Sequence, residues 1–416
     1  MTRAAGPDLA WTLDVLAELI AVPSVGGTEG EVQVQYRLAD LLGGLGLQLD
    51  LWPLDLLALR ASPGHPGEEV ERAHGWGLVA TNRPGEEVGL VLQSHVDVVP
   101  PGDPGNWSSE PFRPVVTADR VVGRGACDMK GGLAAILGAV RALGPAVGEV
   151  PPFAVHCCVG EEDGGLGAYA TLARGHTGAA CVIPEPTDLQ LVTANAGSLT
   201  FRIEVPGRAT HGSTAWAGSS AIDSYLPIHT ALAALATRRN TEVEPLLAHL
   251  PVPYPLSVGR LRAGDWASSV PDRLVAEGRY GLRVTEDPVT AMAELESAVA
   301  LVAADNPYLR EHPPVVTWPG GRFRGGALPA GHPLGDQVAA AHEAVTGRPT
   351  LERGAPWGSD LRTYADAGVP TLHYGPCDVS LAHGPDESVP IDQVLTTAAV
   401  FERLLRQGVP SSSSAR

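Results

Sequence analysis

A chain of 416 residues with 44% hydrophobic and 18% charged residues is typical of a globular protein and is long enough for two domains. Its formal net charge of −18 disfavours nucleic acid and anionic membranes as partners, because both attract basic surfaces, and it suits a protein that holds cations. The five cysteines are odd in number and include no C-x-x-C pair, so we expect no disulfide framework, no thiolate zinc site and a cytoplasmic location. We also expect no signal segment and no stretch long enough to span a membrane.

The N-terminal half alternates amphipathic helices with short apolar strands. Helices are predicted over 11–20 and 29–42, and strands over 89–93, 153–159 and 180–183. This alternation predicts an α/β fold with a mostly parallel central sheet flanked by helices. Polar residues follow each strand, and open sheets of this kind bind ligands at the carboxyl ends of their strands.

The pattern changes near residue 198. An alternating strand, a long helix, two alternating strands, a second helix and a short strand follow, in the order of a ferredoxin-like unit. Helical and strand-like patterns of the first kind then resume. We therefore predict a catalytic domain in two parts, 1–197 and 321–416, with an α+β ferredoxin-like domain inserted at 198–320.

The stretch 123–132 has four glycines around a single carboxylate, Asp128, and precedes an apolar helical run. Because glycine weakens both helices and strands, the stretch is expected to form a tight turn that delivers Asp128 to a fixed place at a helix start. A glycine turn before a buried helix, with an incidental Asp, is the alternative interpretation.

Seven imidazole and carboxylate groups lie at the ends of predicted elements. Converging carboxylates repel one another unless a cation compensates them, and a mixed His and Asp/Glu set suits zinc, cobalt or manganese. Taken singly, a histidine of this set is better explained as a structural residue and the acidic pair as a solvated turn; seven such groups at element ends favour a site. The seven are His95, Asp97, Asp128, Glu161, Glu162, Glu185 and His383.

Two local spacings within this set are informative. The side chains of Glu161 and Glu162 diverge, so that one can bind a metal while the other faces a substrate. His95 and Asp97 lie on one face of a strand end, where Asp97 could orient the imidazole of His95.

Seven motifs in this order resemble the M20 family of metal-dependent hydrolases, which includes acetylornithine deacetylases, succinyl-diaminopimelate desuccinylases, aminoacylases and carboxypeptidases. They cover nearly the whole chain, at 94–100, 123–132, 160–162, 185–187, 207–212, 358–362 and 383–387.

The resemblance implies two divalent metal ions per chain, most simply zinc, with cobalt or manganese as alternatives. His95 and Glu185 would bind one ion, Glu162 and His383 the other, and Asp128 would bridge them. Asp97 would support His95, and Glu161 would be the general base that activates water. The resemblance and the glycines also predict a cis peptide bond between Asp128 and Met129.

The resemblance also implies groups that contact the substrate. His211 in the inserted domain would stabilise the oxyanion, with a solvated strand-end histidine as the alternative. Arg362 would pair with a substrate carboxylate, with a surface ion pair as the alternative. Ser268 stands where many relatives carry Asn, and Gly375 is a further substrate-binding candidate.

Two features of the inserted domain are implied in the same way. The substrate-binding arginine of this domain aligns with either Arg279 or Arg283. A homodimer would form through the domain, which would also act as a lid, and His211 of one chain would reach the metal site of the other. The strand at 199–205 or its partner would otherwise be an open edge.

The function predicted first is removal of the acyl group from an N-acyl amino acid or similar small carboxylate, as in acetylornithine deacetylases. A dipeptidase or carboxypeptidase of the same fold is the second prediction. A non-catalytic metal-binding relative is the alternative of another class, and Glu161 argues against it, since a mere metal binder needs no base beside a ligand.

Overall fold

The structure is a computed structural model that describes residues 7–409. It divides into two compact units. The first comprises the described residues up to Ala194, residues 327–353 and those from Ser359 onward; the second comprises 195–326 and 354–358. Compared with the predicted division, the second unit extends to 326 and includes the short segment 354–358. Its role as a lid stays a prediction.

Residues 7–195 contain five α-helices and eight strands. They are α1 (Leu9–Ala21), α2 (Glu29–Gly44), β1 (Gln48–Pro53), α3 (Leu56–Ala61), β2 (Trp76–Thr81), β3 (Leu90–His95), β4 (Val115–Val116), β5 (Arg120–Val122), α4 (Gly131–Leu143), β6 (Phe153–Cys158), α5 (Leu166–Ala173), β7 (Ala180–Ile183) and β8 (Leu191–Asn195).

The rest of the chain completes both units. The elements are β9 (Gly197–Pro206), α6 (Ala221–Arg239), β10 (Leu256–Ala263), β11 (Arg273–Leu282), α7 (Pro288–Asp305), α8 (Pro307–Glu311), β12 (Val315–Thr317), β13 (Arg322–Phe323), β14 (Gly326–Ala327), α9 (Pro333–Thr346), β15 (Glu352–Ala355), α10 (Leu361–Asp366), β16 (Thr371–His373), β17 (Ser388–Pro390) and α11 (Ile391–Gln407).

The main sheet has the order β1-β2-β6-β3-β7-β16-β8, with β14 and β15 beside β8. Its four central strands, β6, β3, β7 and β16, are parallel, whereas β1, β2 and β8 are antiparallel to their neighbours. Every residue of β3 and β6 is buried, as expected for strands covered on both faces. The predicted α/β fold with a mostly parallel sheet is confirmed.

Parallel central strands place their carboxyl ends at one edge of the sheet. β3 ends at His95, β6 runs directly into 159–162, and β7 runs into 184–187. The turn that carries Asp128 precedes the buried helix α4, which packs against α1 and α11. The sheet therefore gathers residues that are far apart in the sequence.

The second unit has the predicted order β9-α6-β10-β11-α7-β12, and its antiparallel sheet has the ferredoxin-like order β10-β11-β9-β12. Of the two alternatives for the open edge, the strand at 199–205 is excluded, because these residues lie in β9, which pairs with β11 on one side and with β12 and β13 on the other. Its partner β12 is an edge strand, so the second alternative is confirmed. The edges are β10 and β12. Alternating burial shows that one face of a strand is covered but does not distinguish a central strand from an edge strand.

One stretch, Ala126–Gly148, is long and apolar enough to cross a membrane by length and composition, so the expectation that no stretch reaches that length is wrong. Of its apolar window, 61% is buried inside the protein, as is typical of a core helix. The five cysteines are free and buried. The cytoplasmic location stays a prediction.

Candidate metal centre

The five predicted metal ligands lie close together near the carboxyl ends of the parallel strands. One oxygen of Asp128 faces each histidine: Oδ1 lies 3.0 Å from His95 Nε2, and Oδ2 lies 3.4 Å from His383 Nε2. Glu185 Oε2 lies 4.0 Å from His95 Nε2, and Glu162 Oε2 lies 3.2 Å from His383 Nε2. Asp128 therefore sits between a His95–Glu185 pair and a His383–Glu162 pair, which is the division that the sequence analysis predicted.

Burial and mutual repulsion disfavour the ionised carboxylates of this cluster unless cations compensate them. Desolvation by burial raises the pKa of Glu162 and of Glu185, and in both cases the neighbouring Asp128 charge raises it further. Burial opposes ionisation of Asp128 too, yet hydrogen bonds from His383 and His95 hold its pKa below the usual range. The same contacts with Asp128 and Glu162 raise the pKa of His383 to about 11. In the absence of other cations, the imidazoles thus compensate the carboxylates.

The donor set fits divalent metal ions. Ligand atoms of His95, Asp128 and Glu162 all lie within 4.8 Å of one another. The second oxygen of Glu162, Oε1, is buried and accepts no hydrogen bond from the described residues, so it is available to a cation. Two imidazoles and three carboxylates are the ligand types that zinc, cobalt and manganese bind.

Asp97 contacts His95 through a different group from the one expected. The backbone carbonyl of Asp97, and not its carboxylate, lies 2.9 Å from His95 Nδ1, while the nearer carboxylate oxygen is 3.7 Å away. The carboxylate instead accepts the backbone N–H groups of Glu161 and Glu162, at 3.1 and 3.0 Å. Asp97 thus directs His95 Nε2 towards Asp128 and also fixes the two glutamates.

Sequence reasoning assigned no role to Arg124 and Glu387, which hold the turn around Asp128. Glu387 Oε1 accepts the backbone N–H groups of Cys127 and Asp128 at 2.9 and 3.0 Å, and its other oxygen pairs with Arg124 at 2.5 Å. Arg124 also donates to the His383 carbonyl at 3.1 Å. Both residues lie inside the matching motifs, which was the available signal. The Asp128–Met129 peptide bond is cis, as predicted.

Glu161 lies next to the cluster without belonging to its ligand atoms. Its side chain is 7% exposed, and desolvation together with the Glu185 charge raises its pKa well above the usual value, while His95 lowers it. A buried carboxylate with a raised pKa is a suitable proton acceptor.

The structure gives Arg362 backbone partners. This arginine is 4% exposed, and its guanidinium donates to the carbonyls of Ser359 and Gly164 at 3.1 and 2.5 Å. It is therefore not the surface ion pair considered as its alternative. Its contacts join α10 to the loop after β6, and its substrate-binding role stays a prediction.

Gly375 packs against the backbone that carries Glu185. A Cβ at this position would lie 2.4 Å from the Pro184 carbonyl oxygen and 2.5 Å from that of Glu185. Only glycine permits this approach, and Thr187 Oγ1 accepts the Gly375 N–H at 2.9 Å. These contacts position Glu185, and direct binding of substrate by Gly375 stays a prediction.

Within the second unit, His211 and Ser268 lie on neighbouring loops. The Ser268 carbonyl accepts the Gly212 N–H at 2.6 Å, and the backbone of His211 forms an isolated antiparallel β-bridge with Ser269. His211 is exposed and its Nδ1 accepts the Ser213 N–H at 3.1 Å. The neutral imidazole therefore carries its proton on Nε2, which is a hydrogen-bond donor.

The two candidate arginines differ in their partners. Arg283 lies 4.0 Å from a Glu286 oxygen, and its guanidinium lies over the Tyr254 ring. Arg279 donates to the Pro356 carbonyl at 2.8 Å, has no carboxylate partner among the described residues, and has its pKa lowered by desolvation. Among the described residues, Arg283 thus has a carboxylate neighbour and Arg279 has none, and the choice between them as a substrate-binding residue stays a prediction.

Comparison with known proteins shows the family and agrees with the fold. The profile of Peptidase family M20/M25/M40 matches residues 91–407, and the chain belongs to this family of metal-dependent hydrolases. It is 27% identical over 394 residues to an N-formyl-4-amino-5-aminomethyl-2-methylpyrimidine deformylase of Bacillus subtilis, covering 90% of this chain and 88% of the relative. It is 28% identical to an acetylornithine deacetylase of Edwardsiella ictaluri, covering 93% and 95%.

A solved structure shows the same fold. Human carnosine dipeptidase 1 superposes with a TM-score of 0.74 at 15% identity, covering 95% of both chains. At this identity the similarity extends to the fold alone.

Proposed function

We propose that this chain is a dinuclear metal-dependent amidohydrolase that removes the acyl group from an N-acyl amino acid or a similar small carboxylate. The observation that carries the proposal is the position of Asp128, which has one oxygen towards the His95–Glu185 pair and the other towards the His383–Glu162 pair. Divalent ions held by these five residues, zinc first, would polarise the amide carbonyl and lower the pKa of a water molecule.

Glu161 is the proposed general base. Its carboxylate takes a proton from the attacking water as the water oxygen bonds to the carbonyl carbon, and it returns that proton to the amine nitrogen as the C–N bond breaks. Two features support this role: Glu161 is buried beside the ligands, and its backbone is fixed by Asp97. A purely metal-binding protein has no need of this unliganded carboxylate.

Substrate contacts are proposed on the second unit. The Nε2–H of His211 would donate to the oxyanion, and Ser268 on the adjoining loop would hydrogen-bond the substrate. The guanidinium of Arg279, which pairs with no carboxylate among the described residues, would bind the substrate carboxylate. Arg362 and Gly375 are proposed to act by shaping the substrate side of the first unit.

We propose that the protein is a homodimer formed through the second unit, with His211 of one chain acting at the metal site of the other. Such an arrangement pairs the same surface on both chains. Mixing inactive His211→Ala with inactive Glu161→Gln under subunit exchange should restore activity. A mixture that stays inactive despite exchange contradicts action in trans.

The substrate class is tested by loading the protein with zinc or cobalt and assaying N-acetyl, N-succinyl and N-formyl amino acids beside a dipeptide panel. We expect hydrolysis of one of the N-acyl series and close to two equivalents of metal per chain. A preference for dipeptides would favour the peptidase alternative. A metal content below one equivalent, or metal binding without hydrolysis of any amide, would contradict the proposal.

A further inference from the structure

A buried arginine contacts the turn at 160–163, which carries Glu161 and Glu162. Arg72, in the segment between α3 and β2, is 3% exposed. Its Nε and Nη2 donate to the two oxygens of Glu31 at 2.9 and 3.0 Å. Its Nη2 and Nη1 also donate to the two oxygens of Asp163 at 3.2 and 3.4 Å.

All four residues of the 160–163 turn are anchored by hydrogen bonds to three buried side chains. Glu31 Oε1 accepts the Gly160 N–H at 3.1 Å, and Asp97 accepts the N–H groups of the next two residues. The fourth residue, Asp163, is held through its side chain by Arg72. Glu31, Asp97 and Arg72 therefore fix the turn together.

The sequence of the turn is adapted to this arginine. Gly160 has φ of +67°, and a Cβ there would lie 2.8 Å from Arg72 Nη2 and 2.9 Å from Asp163 Oδ1. Only glycine combines this conformation with such an approach. The segment that carries Arg72 also binds the turn directly, because the Glu69 N–H donates to the Asp163 carbonyl at 3.1 Å.

We propose that Arg72, held by Glu31, is a positioning residue that fixes the 160–163 turn so that Glu162 faces the metal ligands and Glu161 stays beside them. Arg72 is the buried cation between two buried carboxylates, and without it Glu31 and Asp163 would repel each other or draw in water, which would shift the turn. Glu31 and Arg72 precede residue 91, where the family match begins. The inference rests on the proposed function of this site.

The decisive variant is Arg72→Lys, which keeps the charge but cannot form paired hydrogen bonds to both carboxylates. We expect kcat and zinc affinity to fall by roughly 10–100-fold, the usual effect of removing a residue that supports a metal ligand, with KM changed little. Zinc affinity is measured by competition with a chromogenic chelator. The visible absorption spectrum of the cobalt-substituted protein should also change, since Glu162 is displaced.

Arg239 offers a matched control in the second unit. It is 1% exposed and pairs with Glu286 and Glu294. Arg239→Gln and Arg72→Gln therefore both remove a buried arginine that pairs with more than one carboxylate. Both variants should lower Tm, but only Arg72→Gln should alter zinc affinity and the cobalt spectrum. Glu31→Gln should reproduce the effect, and combining it with Arg72→Lys should add little, because both act on one turn.

The inference is overturned if the Arg72 variants lose stability as Arg239→Gln does while keeping wild-type zinc affinity, cobalt spectrum and kcat. It is equally overturned if Glu31→Gln, the milder change, leaves all three unaltered. If the wild-type protein hydrolyses no amide, the proposed function fails, whereas zinc affinity and the cobalt spectrum still decide the role of Arg72.

Discussion

The second unit buries a single charged side chain among its described residues, Arg239, and that charge is balanced by Glu286 and Glu294. The first unit buries eight carboxylates and four cationic side chains among its described residues, and several of the carboxylates cluster at the carboxyl ends of parallel strands. A balanced cluster is compatible with a purely structural role. An excess of buried carboxylates is unfavourable by itself and indicates that the first unit is built to receive cations.

The largest effect that this comparison predicts is for Glu161→Gln. Removing one of the crowded carboxylates relieves repulsion, so Tm should stay the same or rise while kcat falls by roughly 10²–10⁴-fold. Metal content should be unchanged in analysis of the purified protein. Glu402→Gln, at a buried carboxylate of α11 that pairs with Arg406, is the control and should keep its activity. Near-normal turnover of Glu161→Gln would refute its assignment as the base.

Acid should lower the free energy of unfolding of the first unit through two of its buried histidines. Desolvation lowers the pKa of His156 and of His373 in the first unit from 6.5 to about 3. Because the folded pKa lies below the unfolded one, the unfolded chain binds protons first as pH falls. Each neutral histidine therefore contributes its full stabilisation well above pH 6.5 and loses it as the pH falls towards 3. The free energy of unfolding should fall by about 2 kcal/mol for each histidine between pH 7 and pH 5.

This pH dependence is measured by thermal or urea unfolding at pH 7 and pH 5, following the transition of each unit where the two separate. The double variant His156→Gln/His373→Gln should be less stable at pH 7 but should lose less stability on acidification. An unchanged pH dependence in this variant would show that these histidines are not responsible.

The smallest effect is expected for Tyr280→Phe in the second unit. The Tyr280 hydroxyl donates to Glu294 Oε2 at 2.9 Å, and its ring lies 4.5 Å from the Arg239 guanidinium carbon. Loss of the hydroxyl should cost about 1 kcal/mol of stability, since the ring contact and both ion pairs remain. Unfolding of the second unit and kcat are the measurements. A tenfold loss of kcat would show that this cluster does more than stabilise the fold.

The sequence by itself determined the fold class and where the site residues meet. Alternation of helices with apolar strands predicts a parallel sheet, and parallel strands bring their carboxyl ends to one edge, so His95, Glu162 and Glu185 had to converge. The matching motifs added Asp128, with its cis peptide bond, and His383. These inferences succeed because periodicity and strand ends are local properties of the chain.

Only the tertiary structure decided which atoms act on which. Asp97 supports His95 through its carbonyl, β9 is central in its sheet, and Arg72 finds partners 41 and 91 positions away, in Glu31 and Asp163. The sequence pattern around residue 72 does not predict the partners of Arg72, because the segment lies between regular elements. The partner of a buried charge is selected by which distant segments pack around it, and the local sequence does not encode that packing.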